Sequence, residues 1–299
     1  MKKNITIKNV LAVLAILIVI MTTINIYGNN QKNVELTQLK DNGSRQMMGY
    51  ILKTANNKLI VIDGGTTEDT NNLKDHIYKE GGVVNYWFIT HAHDDHAGAF
   101  TQIVDDENIK IENIYASLND KEWYEKNDPT RAEFGANLID ILNSEKIKNK
   151  VHEPNINEEI TIDNLNVQIL GVKNPEIVEN AGNEQSMVIK FQTPQSSLLI
   201  LGDTGVNSSE KLLNTQKEKL NCDIVQMAHH GQSGATKELY TVVSPKICLW
   251  PTPAWLWDND PGTGYNTGNW KTIETRKWME ELGVQQNYVE KDGDVTIKF

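Results

Sequence analysis

Three of the chain's seven histidines fall within six residues, His91-Ala92-His93-Asp94-Asp95-His96, directly after the apolar run Tyr86-Trp87-Phe88-Ile89. So dense a polar cluster behind a buried strand restricts the fold. The strand must end at an edge of the core, in a segment that lets these side chains converge. Neutral imidazole and carboxylate are the donors preferred by zinc and neighbouring divalent ions. In a loop leaving the strand, His91 and His93 can face one ion while Asp95 and His96 face a second. A solvated surface loop is the bland alternative, and the chain's own histidine frequency speaks against it.

Two weaker signals lie downstream. Gly202-Asp203 follows the apolar run Leu198–Leu201, and Ala228-His229-His230-Gly231 follows Asp223–Met227. Alone, the first reads as an ordinary turn. Together they supply what a binuclear site still lacks, a carboxylate to bridge the ions and a further imidazole to complete the coordination shell.

The pattern along the chain places these clusters. Strand-like runs at 47–52 and 59–62 are joined by a turn at Asn56-Asn57, and Asp63-Gly64-Gly65 closes the second. Helical patterns cover 68–79, 119–148, 208–220, 237–243 and 272–282. Further strands are expected at 159–162, 166–170, 187–191, 198–201, 223–227, 247–250 and 295–299. Strands alternate with helices in both halves, and the polar clusters all fall at strand ends. That suits an α/β (α+β) layered sandwich with helices outside and the site along one edge. There is no short-period internal repeat.

The combination His91-x-His93-x-Asp95-His96-x-Gly98, Leu201-Gly202-Asp203-Thr204-Gly205 and Ala228-His229-His230-Gly231 resembles the metallo-β-lactamase superfamily. More narrowly, it looks like the branch containing the nuclease-like domain of DNA-uptake competence proteins and the phosphorylcholine esterases. The resemblance covers roughly residues 46–250. It implies a four-layered αββα sandwich and two divalent ions, Zn2+ first, with Mn2+ or Fe as alternatives. By the same resemblance His91 and His93 hold one metal, Asp95 and His96 the second, and Asp203 bridges. One of His229 and His230 completes the second metal; His230, directly before glycine, is favoured, and the choice stays open. Asp95 and His230 are then the candidate catalytic residues.

Many superfamily members supply one more histidine between the first motif and the bridging Asp. Only His152 is available there, in the surface-like Val151-His152-Glu153-Pro154. Asn183, in an Asn183-Glu184-Gln185-Ser186 that resembles the competence branch, is the candidate for that position and for binding substrate. His76 falls in a helical pattern and reads as structural. Trp250-Pro251-Thr252-Pro253-Ala254-Trp255-Leu256-Trp257 holds three of seven tryptophans. It reads either as packing of a long loop or as a pocket wall in which Trp255 and Trp257 hold a cationic or sugar-like group.

Residues 1–28 carry Lys2 and Lys3 before the apolar run Val10–Met21, a cleavable signal or a retained anchor. Residues 29–45, polar and Asn-rich, read as a linker, and 46–299 as the hydrolase domain. Either reading of the N-terminus puts the domain outside the cytoplasmic membrane, anchored or secreted, with the N-terminal segment touching the membrane. A formal net charge of −11 and no Lys/Arg cluster argue against long nucleic acid as partner. A small-molecule or cell-envelope substrate fits better. Cys222 and Cys248 lack metal or redox spacing and read as buried thiols. The expected activity is hydrolysis by a metal-activated water, first on a phosphodiester. Ester, lactone or β-lactam hydrolysis is the alternative, and a non-catalytic binding module is the rival of another class.

Overall fold

The computed structural model describes residues 33–299, together with Leu14 and Ile16. The signal-or-anchor reading of residues 1–28 therefore lies outside the described residues, those two apart. Among the described residues no helix is long and apolar enough to cross a membrane.

Two seven-stranded sheets form the centre. The first contains β1 (Glu35–Gln38), β2 (Gly49–Lys53), β3 (Leu59–Asp63), β4 (Val83–Ile89), β5 (Lys110–Ala116), β6 (Val151–His152) and β14 (Val295–Lys298), in the order β14-β1-β2-β3-β4-β5-β6. The second contains β7 (Glu159–Ile162), β8 (Leu165–Gly171), β9 (Val188–Gln192), β10 (Ser197–Ile200), β11 (Ile224–Gln226), β12 (Ile247–Trp250) and β13 (Gln286–Val289), ordered β13 to β7. Each sheet opens with antiparallel pairs and continues parallel, from β3 through β6 in the first and from β10 through β13 in the second. The C-terminal strand β14 crosses back to pair with β1.

The central strands are apolar throughout because both faces are covered. In β3, Leu59 and Val61 join one core and Ile60 and Ile62 another; in β10, Leu198 and Ile200 face between the sheets while Leu199 faces outward. The middle core draws side chains from both sheets, including Phe88, Phe191, Ile200 and Leu249. The core outside the first sheet is closed by α1 (Thr70–Lys79), α2 (Asp94–Ile103) and α4 (Ala132–Leu142), which follows the short α3 (Lys121–Asn127). That outside the second is closed by α5 (Val206–Thr215), α6 (Lys237–Val243) and α7 (Thr272–Glu281). The result is the expected αββα sandwich. Cys222 and Cys248 are buried and unpaired.

Two expectations are corrected. Residues 33–45 are not a linker: Glu35–Gln38 is a strand paired on both sides, with Val34, Leu36 and Leu39 buried. Its solvent-facing Glu35 and Thr37 dilute the apolar signal to two positions. The histidine motif is also more than a loop. His93 is the residue before α2, and Asp94, Asp95 and His96 form its first turn, where carboxylates favour the positive end of the helix.

Candidate metal centre

The metal-binding candidates gather where the two sheets meet at one edge. From the first sheet, β4 ends in Thr90 and His91 and passes directly into α2. From the second, Asp203 follows β10 and His230 follows β11, in the short turn Ala228–Gly231. Backbone hydrogen bonds tie these ends together: Met187 N–H to Thr90 O at 2.8 Å across the sheets, and His229 N–H to Gly202 O at 3.1 Å. His229 (φ 51°), His230 (φ 56°) and Gly231 (φ 76°) are three successive left-handed residues, uncommon for residues with a side chain. Gly231 is required by space as well, because a Cβ there would lie 2.4 Å from the Trp250 ring.

Asp203 is central. Its carboxylate oxygens lie 3.1 Å from His96 Nε2, 3.6 Å from His230 Nε2, and 3.9 Å from both His91 Nε2 and His229 Nε2. Two groups have donor atoms close enough to share an ion: His91, His96 and Asp203, and Asp95, His96 and His230. The second contains the trio that the resemblance assigns to the second metal; the first joins His91 to His96 and Asp203, and neither group includes His93. His230 Nε2 also lies 3.4 Å from Asp95 Oδ2.

The outward nitrogen of each imidazole is taken, which fixes where its lone pair points. His96 Nδ1 donates to Asp63 Oδ2 (2.7 Å) and His230 Nδ1 to the Pro251 carbonyl (2.9 Å). His91 Nδ1 donates to the Thr90 hydroxyl (3.1 Å), which gives its own proton to Asp63 (2.7 Å). On His93 it is Nε2 that is occupied, by Asp128 (2.9 Å), so Nδ1 is its free donor atom.

The converging side is bare. His91 Nε2, His96 Nε2, His230 Nε2, Asp95 Oδ1 and Asp203 Oδ1 are buried and make no hydrogen bond of good geometry; the His96–Asp203 approach is too poorly aligned to count. Buried polar atoms are seldom left unsatisfied, and five together, all lone-pair donors of the right type, fit divalent cations.

Electrostatics agrees. Burial, helped by His96 and His93, holds the His91 imidazole well below its usual pKa and therefore neutral. Burial pushes the Asp203 and Asp95 carboxyls upward, yet the surrounding histidines more than offset it and keep both far below the usual carboxylate range. His96 goes the other way: burial lowers it, but Asp203 and Asp63 raise it well above the ordinary imidazole value.

Above the centre lies a cleft of about 360 Å³ whose floor includes His93, Asp95, Asp203 and His229. Asn183 lines it; its Oδ1 is buried without a partner, while Nδ2 bonds to Asn180 (2.9 Å) and approaches His229 Nε2 to 3.3 Å. The three residues after it fix its loop. Glu184 takes the N–H groups of Asn207 and Ser208 at the start of α5, Gln185 bonds to Asn119 and Asn174, and the Ser186 hydroxyl accepts Asp203 N–H at 2.8 Å. His229, not His230, is the member of the pair open to the cleft.

Other candidates lie elsewhere. His152 is exposed on edge strand β6, stacked on Tyr115, and His76 pairs with Asp294. Trp250 is fully buried in the outer core of the second sheet. Trp257 packs on Trp250 and under the Arg276 guanidinium (4.0 Å), and Trp255 packs on Trp270. None of these tryptophans lines the metal cleft. Asp63, Asp128 and Thr90, which orient the imidazoles, were not singled out from sequence; only Asp63 stood where a signal existed, at a strand end.

The sequence profile described as the metallo-beta-lactamase superfamily matches residues 48–277. The chain belongs to that superfamily, a family of metal-dependent hydrolases. Its fold is similar to that of the metallo-β-lactamase fold protein YhfI from Bacillus subtilis, with a TM-score of 0.55 at 10% identity over 90% of this chain and 100% of that one. It is similar to CmlA, a diiron β-hydroxylase from Streptomyces venezuelae, with a TM-score of 0.53 at 10% identity over 90% of this chain and 54% of that one. Igni18, a metallo hydrolase from Ignicoccus hospitalis, gives a TM-score of 0.50 at 14% identity over 90% of this chain and 100% of that one. At such identities the likeness is one of fold. No curated protein sequence matches the chain.

Proposed function

We propose that this protein hydrolyses a phosphodiester, with two divalent ions, Zn2+ first among them, held by His91, His93, Asp95, His96, Asp203 and His230. The carrying observation is the set of five buried, unpartnered donor atoms converging on one point. When bound, the metals would supply an ionised water at neutral pH and offset charge at the attacked centre. Asp203, whose oxygens approach His91, His96 and His230, would be the carboxylate common to both sets of ligands. Asp63, Asp128 and the Pro251 carbonyl hold the imidazoles in register. Asn183 Oδ1 is available to the ion or the substrate where other members use a histidine. His229 faces the cleft beside Asn183, positioned to contact the leaving group.

The cleft favours a polar, charged substrate. Its apolar lining is limited to Val178 and Ala181 among otherwise polar side chains and one glycine, where an ester or lactone of hydrophobic character would want an apolar wall. The Asn183-x-x-Ser186 resemblance points the same way. Placement outside the cytoplasmic membrane, with the N-terminal segment as signal or anchor and a cell-envelope or small-molecule substrate, belongs to the same proposal and rests on residues 1–28.

The test is elemental analysis of metal-reconstituted protein with a screen of chromogenic phosphodiesters, esters and lactones. Near two ions per chain and diester turnover, abolished in Asp95→Ala and Asp203→Ala with the fold retained, is the expected result. Less than one ion, or turnover unaffected by both substitutions, overturns it.

A further inference from the structure

We propose that Arg131 is the residue that selects an anionic phosphoryl substrate in the cleft; this rests on the phosphodiester reading above. Among the described residues, Arg131 is the one lysine or arginine lining that cleft. It sits immediately before α4, in the segment whose Asp128 holds His93, and its backbone N–H bonds to Asp128 O at 3.1 Å. Its guanidinium pairs through NH1 with Asp94 Oδ1, and Asp94 is the neighbour of the candidate ligand Asp95. Position and orientation are thus fixed from both sides by residues adjoining the metal centre.

The charge count gives Arg131 its purpose. Asp94 is shared: Oδ1 pairs with Arg131 and Oδ2 with Arg45 at 2.5 Å. One carboxylate faces two guanidiniums, so Asp94 by itself does not neutralise the pair. A guanidinium carries five N–H donors in a planar fork, and the Asp94 contact uses NH1. The remaining donors suit two oxygens of a phosphate, the geometry in which arginine exceeds lysine. The Arg131 side chain is 35% exposed, open to a ligand yet held. A mere brace for Asp94 would duplicate Arg45 and would have no reason to line the cleft.

The test uses metal-loaded full-length protein in detergent. It compares wild type with Arg131→Met and Arg131→Lys on bis(p-nitrophenyl) phosphate, on neutral p-nitrophenyl acetate, and for inhibition by inorganic phosphate. In Arg131→Met, the ratio of kcat/KM for the diester over the acetate should fall about ten-fold or more, mainly through KM. The inhibition constant for phosphate should rise similarly, as loss of a charge-assisted hydrogen bond implies. Arg131→Lys should restore part of both. Equal losses on the two substrates, or a fall in metal content that accounts for the change, would show a brace for Asp94 and overturn the proposal. If wild type cleaves the acetate but no diester, the phosphodiester reading fails by itself; phosphate inhibition then decides Arg131, and an unchanged constant rejects it. Should Arg131→Met not fold, Arg131→Lys carries the comparison: wild-type selectivity together with wild-type phosphate inhibition would reject the forked contact.

Discussion

His96 Nδ1 lies 2.7 Å from Asp63 Oδ2, and the other oxygen of that carboxylate accepts the Thr90 backbone N–H at 2.7 Å. One buried aspartate thus aims an imidazole at the centre and fixes the end of the strand that carries the motif. Asp63→Asn should keep the fold, since Asn tolerates the left-handed backbone found there (φ 55°). Its metal affinity should fall about 10–100-fold, as for other residues that orient ligands. Competition with a chromophoric chelator measures this; unchanged affinity would mean that packing alone orients His96.

Gly182 leaves no room for a side chain. A Cβ there would lie 2.1 Å from His93 Nε2 and 2.2 Å from Asp128 Oδ2, while its φ of −60° imposes no backbone strain. Gly182→Ala should therefore separate His93 from Asp128 and lower metal stoichiometry in elemental analysis. Wild-type stoichiometry would show that His93 does not depend on Asp128.

His96 is raised well above the usual imidazole pKa by Asp203 and Asp63 despite burial, so the metal-free site holds a proton that a cation must displace. Metal uptake should release that proton, and apparent affinity should fall about ten-fold per pH unit below the His96 pKa. Calorimetry in buffers of different ionisation enthalpy reads the proton directly. Uptake independent of buffer would contradict the assignment.

Glu290 is buried with both carboxylate oxygens unpartnered, and burial with Asp41 and Asp69 nearby raises it well above its usual 4.5; Asp41 is pushed up to about 6, chiefly by burial. A raised folded pKa means the folded chain holds a proton the unfolded chain lacks. Stability from these groups is therefore lost as pH rises from the unfolded values through the folded ones. Glu290→Gln should be more stable than wild type at about pH 8, with the advantage shrinking toward about pH 4. Thermal melts across that range check it, and a constant difference would reject it.

Trp250 is wholly buried against Trp257. Trp250→Ala should cost about 3–5 kcal/mol, measured by denaturant unfolding. Trp257→Ala should lower stability while leaving KM near that of wild type, because its ring faces Trp250 and Arg276 rather than the cleft. A raised KM with normal stability would return the tryptophans to the substrate site.

The sandwich was legible because its central strands, such as Leu59–Ile62 and Leu198–Leu201, are apolar on both faces and stand out against polar connections. The ligand set was legible because the strand ends concentrate histidine and aspartate. Two strands were not: β1, though paired on both sides, alternates with Glu35 and Thr37, and the edge strand β13 exposes Gln286 and Asn287. The helix start at Asp94 was hidden because the motif's polar residues look like a loop. Asp128 lies 35 positions from His93, and no local spacing announces such a partner. The aromatic run gave no way to tell a pocket wall from a buried ring, since both need the same residues.

The metal centre straddles the joint between the two sheets, with His91, Asp95 and His96 from one half of the chain and Asp203 and His230 from the other. Neither half holds a complete coordination shell. A cation bound there would join segments as far apart as Asp95 and His230, a closure whose entropic cost the folded sandwich has already met. A cation site of this kind exists only in the assembled sandwich, because each of the two groups of ligand atoms draws on both halves of the chain.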